Sequence, residues 1–283
     1  MHQQDNAGGA GTASLLSALV YAEHLGLRPL ELDLHLPPGH RPGTGTAVPL
    51  VVFVHGGGWM RGHRRMVTPG FAAWQPGPLA RLAARGFAVA SVDYRLSGEA
   101  RFPAPLEDLA TALDWLAEHA DEYGFDAGRT VLWGESAGAH LAALLALRGT
   151  PRVRGVVDWY GPADLLGFAD LGPETALSDD PRDTREARLL GGPPQDLPDL
   201  ARQASPVHHV HPDAPPFLIA HGTADRAVPY AQSADLAAAL AEAGVEVRLD
   251  AVEGAGHMWQ GLTDLEPVFE AVAAFAQRVT AAE

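Results

Sequence analysis

From Leu30 to Leu36 apolar and polar residues alternate as Leu-Glu-Leu-Asp-Leu-His-Leu. A period of two is that of a strand with one face in the core. The pattern stops at Pro37-Pro38-Gly39, and a Pro/Gly-rich connection runs on to Pro49. Beyond it the pattern changes to short, nearly continuous apolar runs at Leu50–Val54, Phe87–Val92, Thr130–Trp133, Gly155–Trp159, Pro216–Ala220 and Val245–Val252. Such runs read as strands covered on both faces. Between them lie stretches that read as helices, near Gly77–Arg85, Pro105–Glu122, Ala137–Arg148, Tyr230–Ala243 and Leu265–Ala281. Buried strands alternating with helices predict an α/β fold, a mostly parallel central sheet with helices on both faces. Ligands of such sheets bind beyond the carboxyl ends of the strands.

One stretch breaks the rhythm. Residues 164–212 are rich in Pro and Asp and show little periodicity, and they are too long for a plain connection. They read as an insertion, either a surface excursion or a segment that overhangs the strand carboxyl ends and shapes a pocket. No low-complexity linker divides the chain, so residues 1–283 read as a single domain. Its polar, Gly-rich start, residues 1–13, is expected to be flexible.

Composition narrows the chemistry. With 47% hydrophobic and 19% charged residues, the 283-residue chain can bury a sizeable core. A net charge of −15, reached without a single lysine, disfavours nucleic acid as a partner. The absence of cysteine excludes disulfides, thiolate metal sites and a cysteine nucleophile. No signal-like start or membrane-length apolar run is present, so a soluble, cytoplasmic protein with no membrane partner is expected. Nothing in the sequence indicates the oligomeric state.

The segment Val131-Leu132-Trp133-Gly134-Glu135-Ser136-Ala137-Gly138 is a short apolar strand leading into a G-x-S-x-G turn and the start of an Ala/Leu-rich helix. That is the sequence form of a nucleophile elbow, which strains a serine and exposes its hydroxyl above the sheet. A serine hydroxyl needs a base to take its proton, and the base needs an acid to hold its tautomer. Asp225 falls just past the strand ending at Ala220, and His257 follows the last strand within Gly254-Ala255-Gly256-His257. The chain order Ser136, Asp225, His257 suits nucleophile, acid and base. Asp250 and Glu253 are rival acids, and Asp225 can also be read as an ordinary helix-start carboxylate. His208, His209, His211 and His221 are read as surface or structural.

A tetrahedral oxyanion needs donors. Val51-Val52-Phe53-Val54-His55-Gly56-Gly57-Gly58-Trp59 is a buried strand ending in three glycines, where amides can face a developing charge. Gly57 and Gly58, with the amide of Ala137, are the candidate donors. Trp59, Trp159, Tyr160, Met258 and Trp259 are the candidate substrate-binding residues, each at a strand end or beside a glycine loop, with core packing as the alternative for the tryptophans.

These segments, together with Asp93-Tyr94-Arg95-Leu96, Phe102-Pro103-Ala104-Pro105-Leu106-Glu107-Asp108 and His221-Gly222-Thr223-Ala224-Asp225, resemble the esterase/lipase branch of the α/β-hydrolase fold. The likeness is closest to the BD-FAE type of feruloyl and acetyl-xylan esterases, with hormone-sensitive-lipase-like esterases further off. It runs from about Leu30 to the C-terminus. Glu135 stands where the latter often carry Asp, and the N-terminal segment is short for their helical cap. The resemblance implies ester hydrolysis through a Ser-His-Asp triad and an acyl-enzyme, on small, short-acyl or aromatic esters, with no metal or organic cofactor. Arylformamidases and prolyl-oligopeptidase-like peptidases share the machinery, although no propeller precedes the hydrolase region here. A binding protein on the same scaffold is the non-enzymatic alternative.

Overall fold

The computed structural model describes residues 13–43, 47–167, 177, 178, 180 and 182–281. Eight strands make one sheet in the order β1-β2-β4-β3-β5-β6-β7-β8, with β1 at Ser14–Ala22, β2 at Leu30–Leu36, β3 at Val48–Val54 and β4 at Ala88–Val92. The remaining strands are β5 at Phe125–Glu135, β6 at Val153–Trp159, β7 at Phe217–Gly222 and β8 at Val247–Val252. All neighbours from β4 through β8 are parallel, whereas β2 runs against both β1 and β4.

The helices are α1 at Pro78–Ala83, α2 at Ala104–Glu118, α3 at Ala120–Tyr123, α4 at Ala137–Leu147, α5 at Arg185–Leu190, α6 at Pro198–Gln203, α7 at Tyr230–Glu242 and α8 at Glu266–Val279. Side chains leave alternate faces of a strand, and this sheet divides them between two cores. Leu50, Val52, Leu132, Val156 and Ile219 pack on one face with α2, α4 and α7. Val51, Phe53, Trp133, Val157 and Leu218 pack on the other with α1 and α8. Continuous apolar runs are thus what a strand sandwiched between two helical layers requires.

After β3 the chain crosses to β4 on one side and then returns to β5 on the other. This is a switch point of the sheet, where the loops leaving β3 and β5 diverge and open a crevice. Val54 pairs with Gly134, so the glycine loop and the elbow begin side by side.

Several boundaries differ from the sequence expectation. β1 was not anticipated: its alternation is broken by two register shifts against β2, and Ala18 takes φ of 57° at one of them. The helix expected over Pro105–Glu122 breaks at His119 into α2 and α3. Two short helices, α5 and α6, lie within 164–212. The expected flexible start, residues 1–13, falls outside the described residues except for Ala13. Among the described residues, no helix is long and apolar enough to cross a membrane.

Candidate active site

Every candidate catalytic side chain leaves the carboxyl end of a parallel strand. Ser136 sits between β5 and α4 with φ of 53° and ψ of −119°, a conformation a residue with a Cβ rarely adopts. Its amide donates to the carbonyl of Trp159 at 2.8 Å, which anchors the turn to β6. Gly138 must be glycine: a Cβ there would lie 2.1 Å from the Val54 carbonyl oxygen. The elbow and the end of β3 therefore touch backbone to backbone.

His257 begins a short 3₁₀ turn after β8, and Asp225 follows β7. Ser136 Oγ donates to His257 Nε2 at 3.1 Å, and His257 Nδ1 donates to Asp225 Oδ2 at 2.7 Å. Asp225 Oδ1 accepts from the amides of Ala227 and Val228 at 2.8 and 2.9 Å, fixing the carboxylate plane. Burial alone would raise the Asp225 pKa. Hydrogen bonds from His221 and His257 overcome it and hold the carboxyl well below its usual range.

His221 was read from sequence as structural or surface, and the structure gives it a place in this chain. It is fully buried, and its Nε2 lies 2.9 Å from the Val228 carbonyl and 3.3 Å from Asp225 Oδ2. Both are acceptors, so Nε2 carries the proton and Nδ1 accepts from Ser233 Oγ at 2.7 Å. The rival acids take other roles: Asp250 pairs with Arg248 on β8, and Glu253 is exposed.

The glycine loop is held from beneath. His55 stacks on Tyr94 at 4.3 Å, and its Nδ1 donates to the Gly56 carbonyl at 2.7 Å. Burial lowers the His55 pKa to about 4, so the ring is neutral. Gly57 takes φ of 114°, and a Cβ there would meet the Arg61 carbonyl oxygen at 2.0 Å. Gly57, Gly58, Ser136 and Ala137 line one cavity of about 860 Å³. Ala137 is the first residue of α4, so its N–H has no intrahelical acceptor.

Trp59 closes this loop. Its Nε1 donates to His140 Nδ1 at 3.2 Å, and His140 Nε2 donates to the Ala204 carbonyl at 2.6 Å. His140 is fully buried, with its pKa lowered to about 4, as this neutral tautomer demands. One imidazole thus ties the glycine loop, α4 and the 164–212 segment together.

Of the candidate substrate-binding residues, Trp59, Tyr160 and Met258 line the cavity. Trp159 and Trp259 do not, which corrects their assignment. Trp159 is fully buried against Phe71, Trp133 and Trp259, and Trp259 is 2% exposed against Trp159 and Tyr160. Trp159 shares the strand face of Val157, which looks into the α1/α8 core rather than out of the sheet end. Tyr160 packs edge-on to His257 at 4.9 Å.

Glu135, notable in the sequence only for standing where hormone-sensitive-lipase-like esterases often carry Asp, is a buried acid beside the nucleophile. Glu135 is 4% exposed, and its Oε1 accepts from the Thr68 amide at 3.1 Å, while Thr68 Oγ1 and Tyr160 Oη lie 2.8 Å apart. Burial raises the Glu135 pKa to about 8 against the opposing Thr68 hydrogen bond, so the carboxyl is protonated at neutral pH. Thr68 is distant in sequence, and no local pattern announces the pairing. The 164–212 segment reaches the cavity through Arg185 and Glu186. Among the described residues, no group of three or more His, Cys, Asp or Glu side chains could hold a metal ion.

The BD-FAE family model matches residues 32–240. The esterase LipQ of Mycobacterium tuberculosis is 31% identical over 75% of this chain and 50% of its own length. The esterase LipC of the same organism is 32% identical over 82% of this chain and 58% of its own length. The chain thus spans about half the length of these curated relatives. Among solved structures, a truncated carbohydrate esterase from gut microbiota superposes with a TM-score of 0.80 at 26% identity, covering 97% of this chain and 99% of that one. The propionate-bound Est2 esterase of Thermogutta terrifontis gives a TM-score of 0.72 at 25% identity and covers 94% of each chain.

Proposed function

We propose that this chain, which belongs to the BD-FAE family and has the α/β-hydrolase fold, hydrolyses carboxylic esters by serine catalysis. The observation that carries the reading is the continuous hydrogen-bonded relay from Ser136 through His257 to Asp225, at 3.1 and 2.7 Å, with Ser136 and His257 lining one cavity. His257 takes the serine proton as Oγ attacks the ester carbonyl, and Asp225 stabilises the imidazolium. The amides of Gly57, Gly58 and Ala137 receive the tetrahedral oxyanion. Collapse of that intermediate expels the alcohol with a proton from His257 and leaves an acyl-Ser136. The imidazole then activates water to release the acid.

Residues 1–283 act as one hydrolase domain in this reading, and the 164–212 segment shapes the pocket through Arg185 and Glu186. A short acyl group or an aromatic ester fits the apolar part of the wall, formed by Met66, Val67, Pro69, Val228 and Met258. Bound propionate in the Thermogutta terrifontis structure supports the short-acyl choice.

The test is stoichiometric labelling by a fluorophosphonate, with turnover of 4-nitrophenyl acetate and butyrate, for wild type and Ser136→Ala. Labelling and turnover both vanish in the variant while the fold persists. An unlabelled wild type, or a Ser136→Ala protein that turns over at the wild-type rate, overturns the assignment.

A further inference from the structure

The cavity at Ser136 is walled by three arginines, Arg61, Arg185 and Arg226, from three separate segments of the chain. Most arginines of this protein are engaged: Arg28 with Glu99, Arg64 and Arg65 with Asp33, Arg95 with Asp108. Among the described residues, the guanidinium groups of Arg61, Arg185 and Arg226 have no acceptor. A lone unpaired arginine on a surface is ordinary, but three meeting at one concave site are not.

Their seating is specific. The Arg185 side chain lies across the glycine loop, with Cδ and Nε 2.5 and 3.2 Å from where a Cβ on Gly58 would stand. Any side chain at position 58 would displace it. Arg61 Cγ passes 3.3 Å from the corresponding point on Gly57, and Arg226 directly follows Asp225. The missing side chains of the glycine loop therefore make room for guanidinium stems as well as for the backbone.

The charges facing these groups do not cancel them. Asp225 is committed to His257 and His221, and Glu135 is neutral at pH 7. Glu186 is the one further carboxylate among the described lining residues. Counting the ionised Asp225 with Glu186, three cations face two anions, so the balance at this cavity still opposes the sign of a chain that carries −15 overall. Guanidinium is the side chain best matched to a carboxylate, since its planar fork can donate two parallel hydrogen bonds to the two oxygens.

Resting on the reading of Ser136 as nucleophile, we infer that the substrate is an anionic ester, with a carboxylate on its acid or alcohol half that Arg61, Arg185 and Arg226 receive. Two matched pairs distinguish the halves. Monomethyl succinate against methyl butyrate places the charge on the acyl side, and 4-acetoxybenzoate against 4-acetoxybenzamide places it on the alcohol side.

Binding of all four to Ser136→Ala is measured by calorimetry, and turnover by wild type is followed by proton release. In at least one pair the charged member binds at least tenfold tighter and shows at least tenfold higher kcat/KM. Arg185→Gln combined with Arg226→Gln lowers that preference at least fivefold, whereas Arg278→Gln, at a site paired with Glu246, does not. Should the double variant fail to fold, the charged-to-neutral ratio on Ser136→Ala alone decides. Equal or tighter binding of the neutral member in both pairs overturns the inference. A Ser136→Ala protein that prefers the charged esters, beside a wild type that hydrolyses none of the four, upholds the arginine site and overturns the hydrolase reading instead.

Discussion

Replacing Glu135 by Gln removes a proton that the folded protein holds much more tightly than the unfolded chain. In the unfolded chain the carboxyl titrates near 4.5, and in the folded protein burial moves this to about 8. Between these values the unfolded state binds fewer protons than the native one, so wild-type stability falls as pH rises. The slope is about 1.36 kcal/mol per pH unit, and across the window from 4.5 to about 8 the loss sums to about 5 kcal/mol. Above about 8 both states are ionised and the slope from this group vanishes. Gln keeps the oxygen that accepts the Thr68 amide and has no proton to lose, so the variant lacks this component. Other groups, Asp158 among them with its pKa raised by burial to about 6, titrate in both proteins and cancel in the difference. The assay is urea denaturation of wild type and Glu135→Gln at unit steps from pH 5 to pH 9. The variant gains on wild type steadily up to about pH 8 and then runs parallel to it. A difference that stays constant from pH 5 to 8 refutes a buried, neutral Glu135.

Five further substitutions have outcomes set by the site and the core beneath it. Asp225→Asn leaves the fold in place but supplies the wrong partner for His257 Nδ1, and steady-state kinetics should show kcat down by about 10³ to 10⁴. Gly57→Ala drives a methyl into the Arg61 carbonyl and displaces the proposed oxyanion donor, so kcat should fall by about 10² or more, measured on a neutral aryl ester. Trp159→Ala empties a core position, and chemical denaturation should register a loss of about 3–5 kcal/mol, whereas Met258→Ala should alter KM and leave the denaturation midpoint nearly unmoved. Trp59→Phe removes the indole donor to His140 and should cost about 1 kcal/mol by the same assay.

The strands of the central sheet were legible because their physics is local. An apolar run such as Leu50–Val54 must be covered on both faces, and only a sheet between two helical layers does so. β1 escaped because Ala18 and its register shifts destroy the period of two, and because Leu15 and Val20 remain exposed on a strand with one neighbour. The Ser136, Asp225 and His257 positions were visible as chemistry-bearing residues just past strand ends. Which way a side chain turns at such an end is another matter. Trp159 and Tyr160 are adjacent in sequence, yet one fills the core and the other lines the cavity, because the chain flips to φ of 47° at Tyr160. Pairings such as Glu135 with Thr68, and the meeting of Arg61, Arg185 and Arg226, exist only once distant segments have been brought together.

Among the described residues β8 occupies the margin of the sheet, bonded to β7 alone, and none of its six residues is fully buried. The loop that carries His257 hangs from this strand, whereas Ser136 stands on β5 in the middle of the sheet. Margins open more readily than centres, and local opening needs only part of the free energy of global unfolding. A warmed population should therefore contain molecules whose tryptophan-rich interior is intact but whose serine has lost its partner. Catalytic half-life would then gauge the firmness of one boundary strand, and reinforcing β8 would extend working life without touching the chemistry.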